Sequence, residues 1–210
     1  MIDLNFSYSN PSLKLVIRLK SKTKILGFSG DSGIGKSTLF NILSGLIVPK
    51  EGNIVIDHNV LYDSKSHTNV WPKSRKIGYV FQDLRLFPHL NVYQNIKYAS
   101  TSQQHIDEIM ELLELEKIIN KDINLLSGGE SQRVAIARSL ASDPQILLLD
   151  ESFNAIHLTQ RKIITRKLKN YISQKNITTL FISHQQNEIK SFADEVYTMQ
   201  NIRGFVKMMK

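Results

Sequence analysis

Two short runs, more than a hundred residues apart, carry side chains suited to chemistry on a polyphosphate. The first is Gly30-Asp31-Ser32-Gly33-Ile34-Gly35-Lys36-Ser37, continued by Thr38. Its glycines let backbone N–H groups turn inward on phosphate oxygens, Lys36 reaches the terminal phosphates, and the Ser37 hydroxyl is placed for Mg²⁺. A helix beginning near Lys36 points its positive end at the same anion. The second run, Ile146-Leu147-Leu148-Leu149-Asp150-Glu151, is a hydrophobic strand ending in two carboxylates. Together they imply binding of a nucleoside triphosphate.

A third run, Leu126-Ser127-Gly128-Gly129-Glu130-Ser131-Gln132-Arg133, lies between them. Ser127 is a good N-cap, and Gly128 and Gly129 present backbone N–H groups at a helix start, a second anion-binding arrangement.

The elements that must position these runs are legible in outline. Residues 2–20 alternate apolar and polar loosely (Leu13, Leu15, Ile17, Leu19), as half-buried antiparallel strands do. Residues 25–29 read as a buried strand entering the glycine loop and 38–46 as the helix that leaves it, with Gly45, Pro49 and Gly52 punctuating its end. Short strands are expected at 53–57 and 76–82, separated by a polar, irregular stretch (58–74) in which Pro72 breaks any helix. From 91 to 140 the period is helical, with Ile106, Ile109, Met110, Leu112, Leu113 and Leu115 at three- and four-residue steps. After 146–150 follow a helix (about 160–174), a strand (178–183) and a weaker final β segment (196–199). Strands alternating with helices call for a mostly parallel sheet.

With 41% hydrophobic and 22% charged residues over 210 positions, the composition is that of an ordinary globular protein able to bury a core. No apolar run approaches the ~18–20 residues of a membrane span, no secretory signal is read at the start, and the absence of cysteine excludes a disulfide framework. The net charge of +8 is spread out, and its densest group, Arg161, Lys162, Arg166, Lys167 and Lys169, has the spacing of a solvated helix face.

The chain resembles the ATP-binding-cassette (ABC) ATPases over essentially its whole length. The phosphate loop, Gln82 at the glutamine loop, the Ser127–Glu130 signature, Asp150 with Glu151, the loop after them, and His184 in Ile182-Ser183-His184 fall in that family's order. The resemblance implies an α/β phosphate-loop NTPase cassette: one domain over 1–210, with a helical subdomain inserted at about 91–140. The nucleotide-binding core and an antiparallel β subdomain would occupy 1–90 and 141–210.

It also implies a homodimer paired head to tail, in which Ser127, Gly128, Gly129 and Glu130 act on the ATP held by the partner's Lys36. Gly30 through Thr38 would bind ATP in the chain's own half. Mg²⁺ would be held by Ser37 directly, by Asp150 through water, and with Gln82 in reach. Glu151 would orient and deprotonate the attacking water, His184 would contact the γ-phosphate, and Gln82 would sense the nucleotide. Adenine stacks on an aromatic near the first strand in this family, and Tyr8 is the candidate, with Phe6 second.

The loop Ser152-Phe153-Asn154-Ala155-Ile156-His157 departs from the family, placing His157 where an Asp helps couple the two sites. Weaker or differently coupled turnover is expected from it. The run from Arg75 to Leu90 is most similar to importer ATPases of the molybdate and sulfate type. Phe87, Pro88 and Leu90 would then form part of a socket for a permease helix.

The implied setting is peripheral, on the cytoplasmic face of the cell membrane, with permease subunits, a periplasmic or surface solute-binding protein acting indirectly, and no nucleic acid. Relatives of the molybdate type usually add a C-terminal oxyanion-sensing domain, and none is expected here because the chain stops near Lys210. A soluble cassette acting on nucleic acid would call for a coiled-coil insertion or a second cassette, and a phosphate-loop GTPase for an Asn-Lys-x-Asp run. A catalytically weakened cassette remains compatible with His157.

Overall fold

A computed structural model describes residues 1–100 and 102–210. In chain order the elements are β1 (Ile2–Asn10), β2 (Leu13–Ser21), β3 (Ile25–Ser29), α1 (Lys36–Ser44), β4 (Glu51–Ile56), β5 (Asn59–Asp63), β6 (Thr68–Asn69) and β7 (Ile77–Val80). Then come α2 (Val92–Lys97), α3 (Gln103–Leu112), α4 (Gly128–Ala141), β8 (Ile146–Asp150), α5 (Leu158–Gln174), β9 (Thr178–Ile182), α6 (Gln186–Phe192), β10 (Glu195–Ile202) and β11 (Phe205–Met209). The chain divides into two compact units, Met1–Ile77 with Thr178–Lys210, and Gly78–Ile177. Among the described residues no helix is long and apolar enough to cross a membrane.

The first unit is a sheet with strand order β6-β5-β4-β1-β2-β11-β10-β3-β9. Its antiparallel part follows from the period-two pattern: Leu4 and Phe6 of β1 and Leu15, Ile17 and Leu19 of β2 are buried, while Asn5, Lys14 and Arg18 between them are exposed. β1 pairs with β2 along its full length, from Ile2 opposite Ser21 to Asn10 opposite Leu13. β3, buried through Phe28, is parallel to both β9 and β10. That accounts for its unbroken apolar run, since strands covered on both faces need no alternation. The Phe28 ring meets the Phe40 ring of α1 edge-on at 6.3 Å, tying strand to helix across the phosphate loop.

Three features of this unit depart from the sequence expectation. The stretch expected to be irregular holds β5 and β6, because Asp57 and His58 make the hairpin turn with φ of 48° and 67°, the left-handed values usually supplied by glycine. A short helix, α6, follows β9. The final segment is a hairpin, β10–β11, whose second strand also meets β2 in parallel through Val206 and Leu15.

The second unit is mainly helical, with β7 and β8 as adjacent strands. α4 packs against α2 and α3. Ile106, Ile109, Met110, Leu113 and Leu115 are buried, and Leu112 is half-buried. Arg133 of α4, 7% exposed, donates to the carbonyls of Leu113 (2.8 Å) and Glu114 (2.6 Å), closing the end of α3. All five residues of β8 are buried, so its terminal carboxylates are presented from a rigid support.

Candidate active site

In the first unit the turn from β3 into α1 is built for an anion. Gly30, Gly33 and Gly35 have φ of 143°, 76° and 103°. Gly35 is the N-cap of α1 and offers no side-chain acceptor, and no acidic residue lies in the first turn. The N–H groups that a helix start leaves over therefore lack a side-chain cap. Lys36, 6% exposed, folds back so that its ammonium donates to the carbonyls of Gly30 (2.9 Å) and Asp31 (2.8 Å). Amide donors, a buried ammonium and an exposed Ser37 hydroxyl form a donor set that fits a polyphosphate and its cation. Asp31 and Ser32 are exposed, and Ile34 and Thr38 are half-buried.

His184 is exposed directly after β9. Its neighbour Ser183, fully buried, donates to the Glu188 carboxylate of α6 and accepts from the Gln185 N–H at 3.0 Å. The turn carrying His184 is thus pinned from below. Tyr8 is half-buried with its hydroxyl 3.2 Å from Asn10 Nδ2. Phe6 is only 3% exposed, a core residue of β1, and has no face to offer an adenine.

In the second unit the signature begins α4 with a reciprocal cap. The Ser127 hydroxyl accepts from the Glu130 N–H (3.3 Å), and the Ser127 N–H donates to the Glu130 carboxylate (2.7 Å). Lys121 adds a contact to Glu130 at 3.1 Å. The Ser127 N–H first, then the Ser127 side chain and Lys121, hold the Glu130 carboxyl down at about 2 against the cost of burial. Glu130 therefore serves the helix start. Ser127 and Gly128 are exposed, and a Cβ on Gly129 would sit 3.0 Å from the Ala155 carbonyl oxygen.

Asp150, 2% exposed, ends β8. Burial and then its charge push the Tyr79 phenol up, so that group stays neutral. Glu151 follows at φ 51°, half-exposed, with its carboxylate 3.0 Å from Asn154 Nδ2. His157 is exposed at the N-cap of α5 and its side chain caps nothing.

Gln82 is exposed in the turn after β7. The loop beyond it is held by two residues that the sequence did not single out. Asn95, fully buried, accepts from the Phe87 N–H (2.9 Å) and donates to the carbonyls of Phe87, Leu90 and Asn91. Arg138 donates to the Leu84 carbonyl (3.0 Å), and its guanidinium lies 4.9 Å from the centre of the Phe87 ring. A fully buried Asn inside a short helix is the signal that could have found the first. Phe87 and Leu90 are half-buried, and Pro88 is exposed.

A parallel β3–β9–β10 core feeding a glycine loop into an uncapped helix defines an α/β phosphate-loop nucleotide-binding fold. The profile of the ABC transporter family matches residues 17–154, and the chain belongs to that family.

It is 37% identical over 203 residues to the Molybdenum import ATP-binding protein ModC of Haemophilus ducreyi, covering 95% of this chain and 58% of that protein. It is likewise 37% identical over 198 residues to the protein of the same name from Aliivibrio fischeri, covering 93% and 54%. The chain thus spans little more than half the length of the curated relatives it matches. Among solved structures it is similar to dimeric MJ0796, a bacterial ABC transporter cassette, with TM-score 0.78 and 28% identity over 98% of this chain and 93% of that one. A post-hydrolysis dimer of MJ0796 bound to ADP and Pi gives TM-score 0.77 and 27% identity, covering 100% and 98%.

Proposed function

We propose that the chain is the ATP-binding and ATP-hydrolysing subunit of an importer for a small oxyanion, with molybdate the first choice. The nucleotide reading is carried by one observation: a helix start with no side-chain cap, beneath a glycine loop closed by a buried lysine. The cargo is supported by the curated relatives' names across 95% of the chain.

Gly30–Thr38 bind the phosphates of ATP, and Tyr8 supports the adenine. Ser37, Asp150 and Gln82 are the residues that would hold Mg²⁺, Ser37 through its hydroxyl and Asp150 through water, their oxygen donors being of the kind Mg²⁺ takes. Bound Mg²⁺ supplies charge neutralisation on the phosphates. Glu151 orients the attacking water and takes its proton, while His184 holds the γ-phosphate in line. Hydrolysis works in a homodimer, with Ser127, Gly128 and Gly129 of each copy facing the other's nucleotide. The dimeric state of MJ0796 supports this pairing.

Permease subunits dock near Phe87, Pro88 and Leu90 and place the chain on the cytoplasmic face of the membrane. A solute-binding protein delivers the oxyanion to them, and nucleic acid takes no part.

Titration calorimetry with Mg-ATP tests the first step: wild type is expected to bind and Lys36→Ala to lose at least about tenfold in affinity. Glu151→Gln is expected to trap an ATP-bound dimer, measured by light scattering. A Glu151→Gln protein that stays monomeric in saturating Mg-ATP overturns the dimer reading. Absence of binding heat in wild type overturns the whole.

A further inference from the structure

Glu151 holds a left-handed backbone conformation, φ 51°, which a residue with a Cβ keeps only where its surroundings over-determine it. The surroundings do so from two sides. Gln132 of α4, 7% exposed, spans the loop after β8 with one side-chain amide: its Nε2 donates to the Glu151 carbonyl (3.3 Å) and its Oε1 accepts from the Ala155 N–H (2.9 Å). On the far side, Arg161 of α5 donates to the carbonyls of Asn154 (3.1 Å) and Ile156 (3.0 Å). Ser152 and Phe153 are fully buried, so the loop is fastened to the core between these ties. Asn154 itself is exposed, and its backbone is set by Arg161, yet its side chain turns back to place Nδ2 3.0 Å from Glu151 Oε2.

An amide donating to a carboxylate is a charge-assisted bond, and on a fixed backbone it decides which way the carboxylate faces. We propose that Asn154 is a positioning residue for Glu151, on a loop that Gln132 fastens to the helix beginning with the Ser127–Glu130 segment. The inference rests on the reading of Glu151 as the base that activates water. Asn154 acts on the orientation of that base, so it sets turnover and leaves nucleotide affinity alone. Because Gln132 ties the loop to α4, the orientation is also linked to the helix whose first residues face a second copy's nucleotide. Catalysis is sensitive to such placement, since a small displacement of a base or its water is amplified in rate.

The test is steady-state ATPase on the full chain. Asn154→Ala is expected to lower kcat by roughly fivefold to twentyfold with KM for ATP unchanged within about twofold. Asn154→Asp, which sets a like charge beside the carboxylate, is expected to lower kcat further. Asn154→Gln, which keeps the amide, is expected to recover most of the loss. In a Glu151→Gln background, Asn154→Ala is expected to have no further effect. Mg-ATP calorimetry and thermal melts of each variant exclude misfolding as the cause.

Wild-type kcat in both Asn154→Ala and Asn154→Asp overturns the proposal. So does a loss of equal size in the Glu151→Gln background, or a loss confined to KM. If Glu151→Gln alone turns over like wild type, the reading of the base has failed and the positioning role falls with it, a result distinct from the others.

Discussion

Replacing His157 by Asp is expected to stabilise the protein, and the reason lies in the geometry of α5. Helix α5 runs for 17 residues from Leu158, and its N-cap, His157, has φ −58° and ψ 140°. That extended conformation suits a capping residue, but the imidazole accepts from no backbone N–H and the first turn holds no acidic residue. Arg161 and Lys162 follow close behind, adding positive charge near the positive end of the helix dipole. An Asp at this position would gain about 0.5–2 kcal/mol as a cap. The charge at the dipole would add about 0.3–1 kcal/mol. For a chain of this size each kcal/mol moves the melting temperature by about 2–4 °C, so the two contributions together predict a rise of about 2–12 °C. Thermal unfolding followed by far-UV circular dichroism measures it, with His157→Ala beside it as a control expected to stay within about 0.5 kcal/mol of wild type. A His157→Asp protein that melts no higher than wild type would show that the helix start is already capped, and the reasoning fails. The same pair assayed for ATPase tests the coupling expectation. Unchanged rate and ATP cooperativity in His157→Asp would show that position 157 carries none of the link between sites.

The remaining predictions concern the supports of the site. The Glu130 carboxyl, held at about 2 in the folded chain against an ordinary 4.5, contributes stability that is fully present above pH 4.5 and lost as pH falls toward 2. Because the group is partly solvated, the contribution is on the order of 1 kcal/mol. The stability difference between wild type and Glu130→Gln, measured by urea unfolding, should be level above about pH 5 and shrink from there to about pH 3, and a constant difference across that window would refute the assignment. Gly27→Ala in β3 is expected to cost about 1–3 kcal/mol by overpacking, because an added Cβ would lie 2.5 Å from Ile189 Cγ2 and 2.9 Å from Ala193 Cβ. A melt unchanged by that substitution would mean α6 yields freely. Arg75→Met should also destabilise, since the 3%-exposed guanidinium donates to the carbonyls of Ile42, Leu43 and Val70. The Leu43 and Val70 carbonyls would lose this donor, while Ile42 keeps the Gly45 N–H, at about 1–3 kcal/mol in urea unfolding, and an unchanged midpoint would refute the role.

What the sequence made legible was chemistry encoded within a few consecutive residues. The glycine spacing before Lys36 dictates backbone signs that no other residue type takes readily, and Ser127 three positions before Glu130 is a cap whose partners are fixed by helix geometry. The buried run of β3 declares a parallel strand by its lack of alternation. The hairpin at 58–63 stayed hidden because Asp57 and His58, not glycine, take the left-handed turn. β11 stayed hidden because much of its support comes from partners far back in the chain, down to the single register pair of Val206 with Leu15. Phe6 was legible as an aromatic near the right strand but not as a core residue, since burial depends on which face of β1 the sheet covers.

The same distinction governs the site. The groups expected to touch ATP sit in local motifs, whereas the groups that hold them do not. Gln132 meets Ala155 across 23 residues and Arg138 meets Leu84 across 54. No spacing rule connects such pairs, because each is set by how a helix lies against a loop. A positioning residue is therefore recognisable only once the fold is known, and this is why Asn154, read in the sequence as one letter of a departure from the family, acquires a definite task beside Glu151.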